Sequence, residues 1–188
     1  MPQTADRPEP MRPAAPLRPL ACAGLLAALA LAGCGPSSDK FAPACPQLRL
    51  LNDAADLTRM RGQGSDLTDL VLQARIAEVP ASCKAGAKGT VAAEISVVID
   101  VTRGPASTAR EAELPYLVTV VLGDQVLDQK PYTVKAVFPP NVDRIRVTGE
   151  TINLAIPVSQ DRTAADYTIY TSFRLTPDEL AYNRSTRR

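Results

Sequence analysis

The clearest pattern along this 188-residue chain is a two-residue alternation. Val91, Ala93, Ile95, Val97, Ile99 and Val101 share one parity, and Glu94, Ser96, Asp100 and Thr102 take the other. Successive side chains of a β-strand point to opposite faces, so this stretch predicts a strand with one core face and one wet face. Tyr167, Ile169, Thr171, Phe173 and Leu175 repeat the pattern against Thr168, Ser172 and Arg174. Tyr116, Val118, Val120 and Leu122 form a third strand, which the turn pair Gly123-Asp124 closes before Gln125–Lys130. Tyr132, Val134, Ala136 and Phe138 continue beyond Pro131, a residue that cannot donate to a ladder and so marks an edge or a break. Leu70, Leu72, Ala74 and Ile76 make a further strand. Ile145 and Val147 precede Ile152, Leu154 and Ile156 with the parity flipped at Gly149, where a bulge, a turn or a crossing between sheets would rephase the side chains.

About seven short strands separated by turn signals predict an all-β fold, an antiparallel β-sandwich of immunoglobulin-like architecture, with a small β-barrel as the alternative. The chain has no Trp, so the Cys-Trp-Cys spacing of antibody domains is missing and only the architecture is expected. Helix is scarce. Thr176-Pro177-Asp178-Glu179 supplies a capping residue, a proline at the first helical position and a glutamate at the third, which starts a short helix through about Asn183. Between Pro46 and Met60, Leu48, Leu51, Ala55 and Leu57 fit either a helical stripe or a short irregular strand.

Upstream of the domain lies an apolar run, Leu20–Leu31, behind Arg12 and Arg18. From Leu20 to Gly33 is 14 residues, short of the roughly 20 that a membrane span requires. A basic lead, a short apolar stretch and small residues at the cut describe a signal peptide. Leu31-Ala32-Gly33-Cys34 resembles the lipobox of bacterial lipoproteins. That resemblance implies a diacylglyceryl group on the Cys34 thiol, cleavage before Cys34 and a protein tethered to a membrane of the cell envelope, facing the periplasm. Gly35 after the cysteine is similar to the pattern sent on to the outer membrane in Gram-negative lipoproteins. Asp6, Arg7 and Glu9 are atypical of the start of a signal peptide, which leaves Met11 as an alternative start. The expected organisation is a signal peptide over 1–33, a flexible tether over 34–44, a sandwich over 45–183 and a basic tail over 184–188. Asp66-Leu-Thr-Asp-Leu-Val-Leu, Phe138-Pro-Pro-Asn-Val-Asp-Arg and Leu175-Thr-Pro-Asp-Glu-Leu-Ala-Tyr-Asn resemble segments of small lipoproteins of Gram-negative bacteria, a likeness that implies no activity.

Four cysteines must then be assigned. Cys22 falls in the discarded segment and Cys34 carries lipid, leaving Cys45 and Cys83. In an oxidising compartment an even remainder favours a Cys45–Cys83 disulfide over two buried thiols. Neither has a CxxC partner, and the chain contains no His, so redox catalysis and a zinc site are not expected.

Residues 1–33 take three of the 21 basic and two of the 20 acidic residues, leaving 18 of each and no basic field for nucleic acid. Arg184, Arg187 and Arg188 read as a solvated end. Without His there is no Ser-His-Asp or Cys-His pair, and GxSxG, P-loop, GxGxxG and HExxH spacings do not occur. No catalytic residue, cofactor or metal ligand is assigned. The remaining enzymatic alternative is a carboxylate-dependent hydrolase of envelope polymers, with Asp66, Asp69 and Asp143 among its candidates; a purely structural lipoprotein is the other. Phe138-Pro139-Pro140-Asn141-Val142 reads as a stiff connection at a sandwich end, and Tyr170 as a residue on the wet face of its strand, open to a contact. The reading that results is a lipid-anchored, non-catalytic binding or scaffolding protein with an envelope protein as its partner.

Overall fold

The computed structural model describes residues 43–186 apart from 63 and 65. The expected signal peptide with Cys22, the expected lipidation site Cys34, most of the expected tether, Arg187 and Arg188 lie outside the described residues. Along the described chain run β1 (Gln47–Leu50), β2 (Asp56–Met60), β3 (Leu70–Glu78), β4 (Ala81–Ala85), β5 (Thr90–Ile95) and β6 (Val98–Arg103). Then come β7 (Glu111–Leu122), β8 (Gln125–Val137), β9 (Arg144–Thr148), β10 (Ile152–Pro157), β11 (Tyr167–Phe173) and a helix, α1 (Pro177–Thr186). One layer has the order β1-β11-β7-β8, with β1 parallel to β11 and the rest antiparallel. Two antiparallel sheets, β2-β3-β6-β9 and β10-β5-β4, make up the rest, and a single apolar core joins the inward faces of all three. The result is the all-β sandwich that the alternation predicts.

Eleven strands among the described residues exceed the seven expected, because the segment before Met60 holds β1 and β2, β4 follows β3, and Val91–Val101 divides into β5 and β6. Three neighbouring passes of the chain are each broken in two, at Val79-Pro80, Ser96-Val97 and Gly149–Thr151, so that β3 leads into β4, β5 into β6 and β9 into β10. The breaks lie side by side. The Ser96 amide donates to the Pro80 carbonyl at 3.1 Å, and the Gly149 amide donates to the Val97 carbonyl at 2.8 Å, so hydrogen bonding continues across the bend. Val97 sits on this line fully buried, which is why Val91–Val101 alternates without interruption although the chain changes sheets. At Gly149 the parity does flip, and the flip marks the crossing from β9 to β10.

Gly149 is required there. A Cβ on it would lie 2.9 Å from the Tyr116 hydroxyl and 3.1 Å from a Val134 methyl. Tyr116 stacks on Tyr132 with ring centroids 5.5 Å apart, and its buried hydroxyl meets no hydrogen-bond partner among the described residues.

The outer face of β2-β3-β6-β9 is polar by the same parity rule. Asp56, Arg75, Asp100 and Arg146 stand opposite one another across the four strands, and Arg146 grips Asp100 through two hydrogen bonds of 2.7 and 2.9 Å. These bonds hold the Asp100 carboxyl below its ordinary range.

The ambiguous segment before Met60 resolves into β1, a 3-10 turn at Asn52–Ala54 and β2, which carries the chain from one layer to the other. Cys45 at its head is bonded to Cys83 on β4, with Cα atoms 5.8 Å apart. On the same side α1 packs over β2, and its buried Asn183 donates both amide protons, to the carbonyls of Asp53 and Asp56 at 2.8 and 2.7 Å. The helix outlasts Asn183: Arg184, expected in the tail, lies in its last turn and bonds Asp53 at 3.0 Å.

Two outcomes follow for stability. Replacing Cys45 and Cys83 by Ser opens a loop of sequence separation 38 and lowers unfolding free energy by about 4 kcal/mol in the chain-entropy model, measured by denaturant titration. Burial, with a smaller contribution from Glu150, pushes the Tyr116 phenol from 10.0 up to about 12. The native state therefore keeps a proton that the unfolded chain releases, so stability is full below pH 10 and falls between 10 and 12. Tyr116→Phe removes that slope and, by deleting an unsatisfied buried hydroxyl, leaves stability at neutral pH unchanged or raised by about 1 kcal/mol; thermal melts from pH 7 to 11 check both.

Candidate binding surface

Two arginines sit where the core alternation runs out. Arg59 on β2 has the inward parity of Leu57, and Arg103 on β6 has that of Val101, so each guanidinium emerges at the rim of the core, at one end of the sandwich. Arg59 donates through Nη1 to the Glu113 carbonyl on β7 at 2.9 Å and through Nε to Glu179 Oε1 at 3.2 Å. The other oxygen of Glu179 accepts from the Thr176 amide at 2.8 Å, while Thr176 Oγ1 accepts from the Glu179 amide at 3.2 Å. That is the capping box expected at this helix start, and through Arg59 it also couples both layers to α1. The Glu179 side chain is only 12% exposed.

Arg103 organises the neighbouring loops. Its guanidinium lies over the Phe138 ring, 5.7 Å from the centroid, bonds Asp143 at 2.9 Å and donates to the Ala109 carbonyl at 3.3 Å. The connection after β8 is a tight turn in which the Val142 amide donates to the Pro139 carbonyl at 3.3 Å, with Asn141 at φ 60°. A proline at the second position and an asparagine of positive φ at the third suit a type II turn. The sandwich-end connection expected of Phe138–Val142 is thus the one found, with Phe138 buried and Pro139 and Pro140 exposed.

These groups border two recesses. One, of about 490 Å³, has Val71, Leu72, Ala112 and Phe138 in its lining with Arg59, Arg61 and Arg103. The other, of about 520 Å³, shares Arg59 and Val71 with the first and is bordered by Thr176, Glu179 and Tyr182. Beside them, on the 3-10 turn Leu67–Asp69, Leu67 is 76% exposed, the most exposed large apolar side chain among the described residues.

The sequence candidates fall into place unevenly. Asp69 and Asp143 belong to this end, but each is engaged with an arginine, Asp69 with Arg61 at 3.0 Å and Asp143 with Arg103. Asp66 is exposed, and its carbonyl accepts from the Asp69 amide at 2.9 Å. Tyr170 lies half-buried on the outer face of the β1-β11-β7-β8 sheet, between Arg49 and Thr119, away from the recesses. Among the described residues no three Cys, Asp or Glu side chains converge as a metal site. Sequence reasoning missed Arg59 and Arg103, although an arginine taking the core parity at the end of an apolar alternation is a readable sign of a core rim. No family model, curated protein or solved structure matches this chain.

Arg59→Ala leaves the mostly buried Glu179 carboxylate and the Glu113 carbonyl without their partner, at a cost of about 2–3 kcal/mol. In a double-mutant cycle with Glu179→Ala, denaturation should return a coupling of about 1 kcal/mol or more; strict additivity would mean that the pair contributes nothing.

Proposed function

We propose that this chain is a bacterial lipoprotein, held by diacylglyceryl on Cys34 to the periplasmic side of an envelope membrane, the outer membrane by the Gly35 pattern. Its sandwich is a non-catalytic binding or scaffolding part of an envelope assembly and presents its loop end to a protein partner. The observation that carries this reading is the separation of two ends. The chain comes in at Cys45, next to the start of β1, where Gln47 is level with Thr168 at the start of β11. The recesses, Leu67 and the Pro139-Pro140 turn lie at the other end, beyond the finish of β2, β6, β8 and β11. A tether of about ten residues reaches roughly 30 Å when extended, enough to hold the loop end clear of the membrane. Loops clustered at one end of a rigid sandwich are a recurrent place for recognition, and a leucine as exposed as Leu67 suits a protein surface. Lack of His in the whole chain, with Asp69 and Asp143 both committed to arginines, supports a role in binding over one in hydrolysis.

The test places a photo-crosslinking amino acid at Leu67, Pro140 or, as a reference on an exposed outer position of β10, Asn153, in intact cells. Positions 67 and 140 should give a discrete adduct that disappears in Cys34→Ser cells, and Asn153 should give none. Adducts equal at all three positions, or unaffected by Cys34→Ser, would contradict the assignment, and an unacylated N-terminal peptide in the mass spectrum would contradict the anchor.

A further inference from the structure

We infer that the end opposite the loops is a lipid-contacting surface, in which the tip of the β7-β8 hairpin rests on the bilayer; this goes beyond the proposed function but rests on its lipid anchor. Register places the tip. Gln47 pairs with Thr168, Thr168 with Val121 and Val121 with Val126, so one transverse row runs from the first residue of β1 to the hairpin tip. Three interstrand steps of about 4.8 Å put Val126 roughly 14 Å from the strand that follows Cys45. Whatever membrane holds Cys34 is therefore met first by this end.

The surface there is of the right kind. Val126 and Leu127 are 59% and 44% exposed, and Leu48 of β1 is 36% exposed. Leu127 is the unpaired residue of a bulge, since Val121 faces Val126 while Val120 faces Asp128. The bulge turns two adjacent apolar side chains outward at the end of the hairpin. Gly123, at φ 57°, makes the tight turn that lets the tip project. A partner strand is poorly served by this edge: the bulge and Pro131 interrupt the pairing groups of β8, and the charged side chains of Asp128 and Lys130, paired at 3.2 Å, stand along it. A fluid apolar layer makes no such demand on backbone register, and the tether supplies it at high local concentration.

The chain contains no Trp, so a single introduced one reports without background. Full-length acylated protein carrying Leu127→Trp, Val126→Trp or, at the loop end, Leu67→Trp is reconstituted into phosphatidylethanolamine–phosphatidylglycerol vesicles with or without brominated acyl chains. Flotation and the mass of the N-terminal peptide report the anchor separately. The expected result is a blue shift and loss of about half the emission to brominated lipid at position 127 or 126, with position 67 unchanged. Protein that floats with the vesicles while position 127 is quenched no more than position 67 overturns the lipid contact and leaves the anchor standing. Protein that does not float and lacks the lipid mass overturns both. A blue shift without vesicles, accompanied by a dimer in light scattering, assigns the tip to a second copy of the chain and overturns the proposal.

Discussion

Three adjacent breaks in the backbone, at Val79-Pro80, Ser96-Val97 and Gly149–Thr151, are the constraint on which this domain depends. A long strand pass cannot bend across a core alone without losing ladder hydrogen bonds or turning its apolar face to water. Here three passes bend along one line, so each supplies the neighbour its partners need. The amides of Ser96 and Gly149 bond across the bend, Val97 fills it, and Gly149 leaves room for Tyr116 from the facing layer. The sheets β2-β3-β6-β9 and β10-β5-β4 thereby share a single core with β1-β11-β7-β8.

From that bend the rest of the molecule follows. A single body with aligned strands has two ends, and the ends differ chemically. At one, the disulfide and the β7-β8 tip flank the incoming chain. At the other, the core rim is closed by arginines, with Arg59 joining both layers to the helix cap and Arg103 holding the loops after β6 and β8. A guanidinium suits such a rim because its stem packs with apolar neighbours while its planar donors reach carbonyls and carboxylates at several angles. The side bounded by β1 and β2 is closed by Asn183, which satisfies two carbonyls that the chain's passage between layers would otherwise leave buried.

What could be read beforehand depended on the range of the interaction. Alternation, the Gly123-Asp124 turn, the Thr176–Glu179 cap and the cysteine pair are local or countable, and the structure contains each of them. The bend at Ser96-Val97 was illegible because it keeps the core parity, whereas the bend at Gly149 betrays itself by breaking it. The segment before Met60 stayed ambiguous since β1 is an edge strand whose Leu48 is partly exposed, so its apolar residues carry no clean period. Asn183 acts on carbonyls more than 120 residues away and has no sequence signal at all. The Arg59 and Arg103 rim was legible in principle, as a charged residue taking the inward parity at a strand end.

The measurement that bears most directly on this account is native-state hydrogen exchange of the whole protein in low denaturant, comparing β2-β3-β6-β9 with β10-β5-β4. If the shared bend makes them one cooperative unit, the slowest amides of both sheets and those of Ser96 and Gly149 exchange through the same global unfolding, with one free energy and one denaturant dependence. Opening of β10-β5-β4 at a distinctly lower free energy, with Ser96 and Gly149 exchanging early, would contradict it.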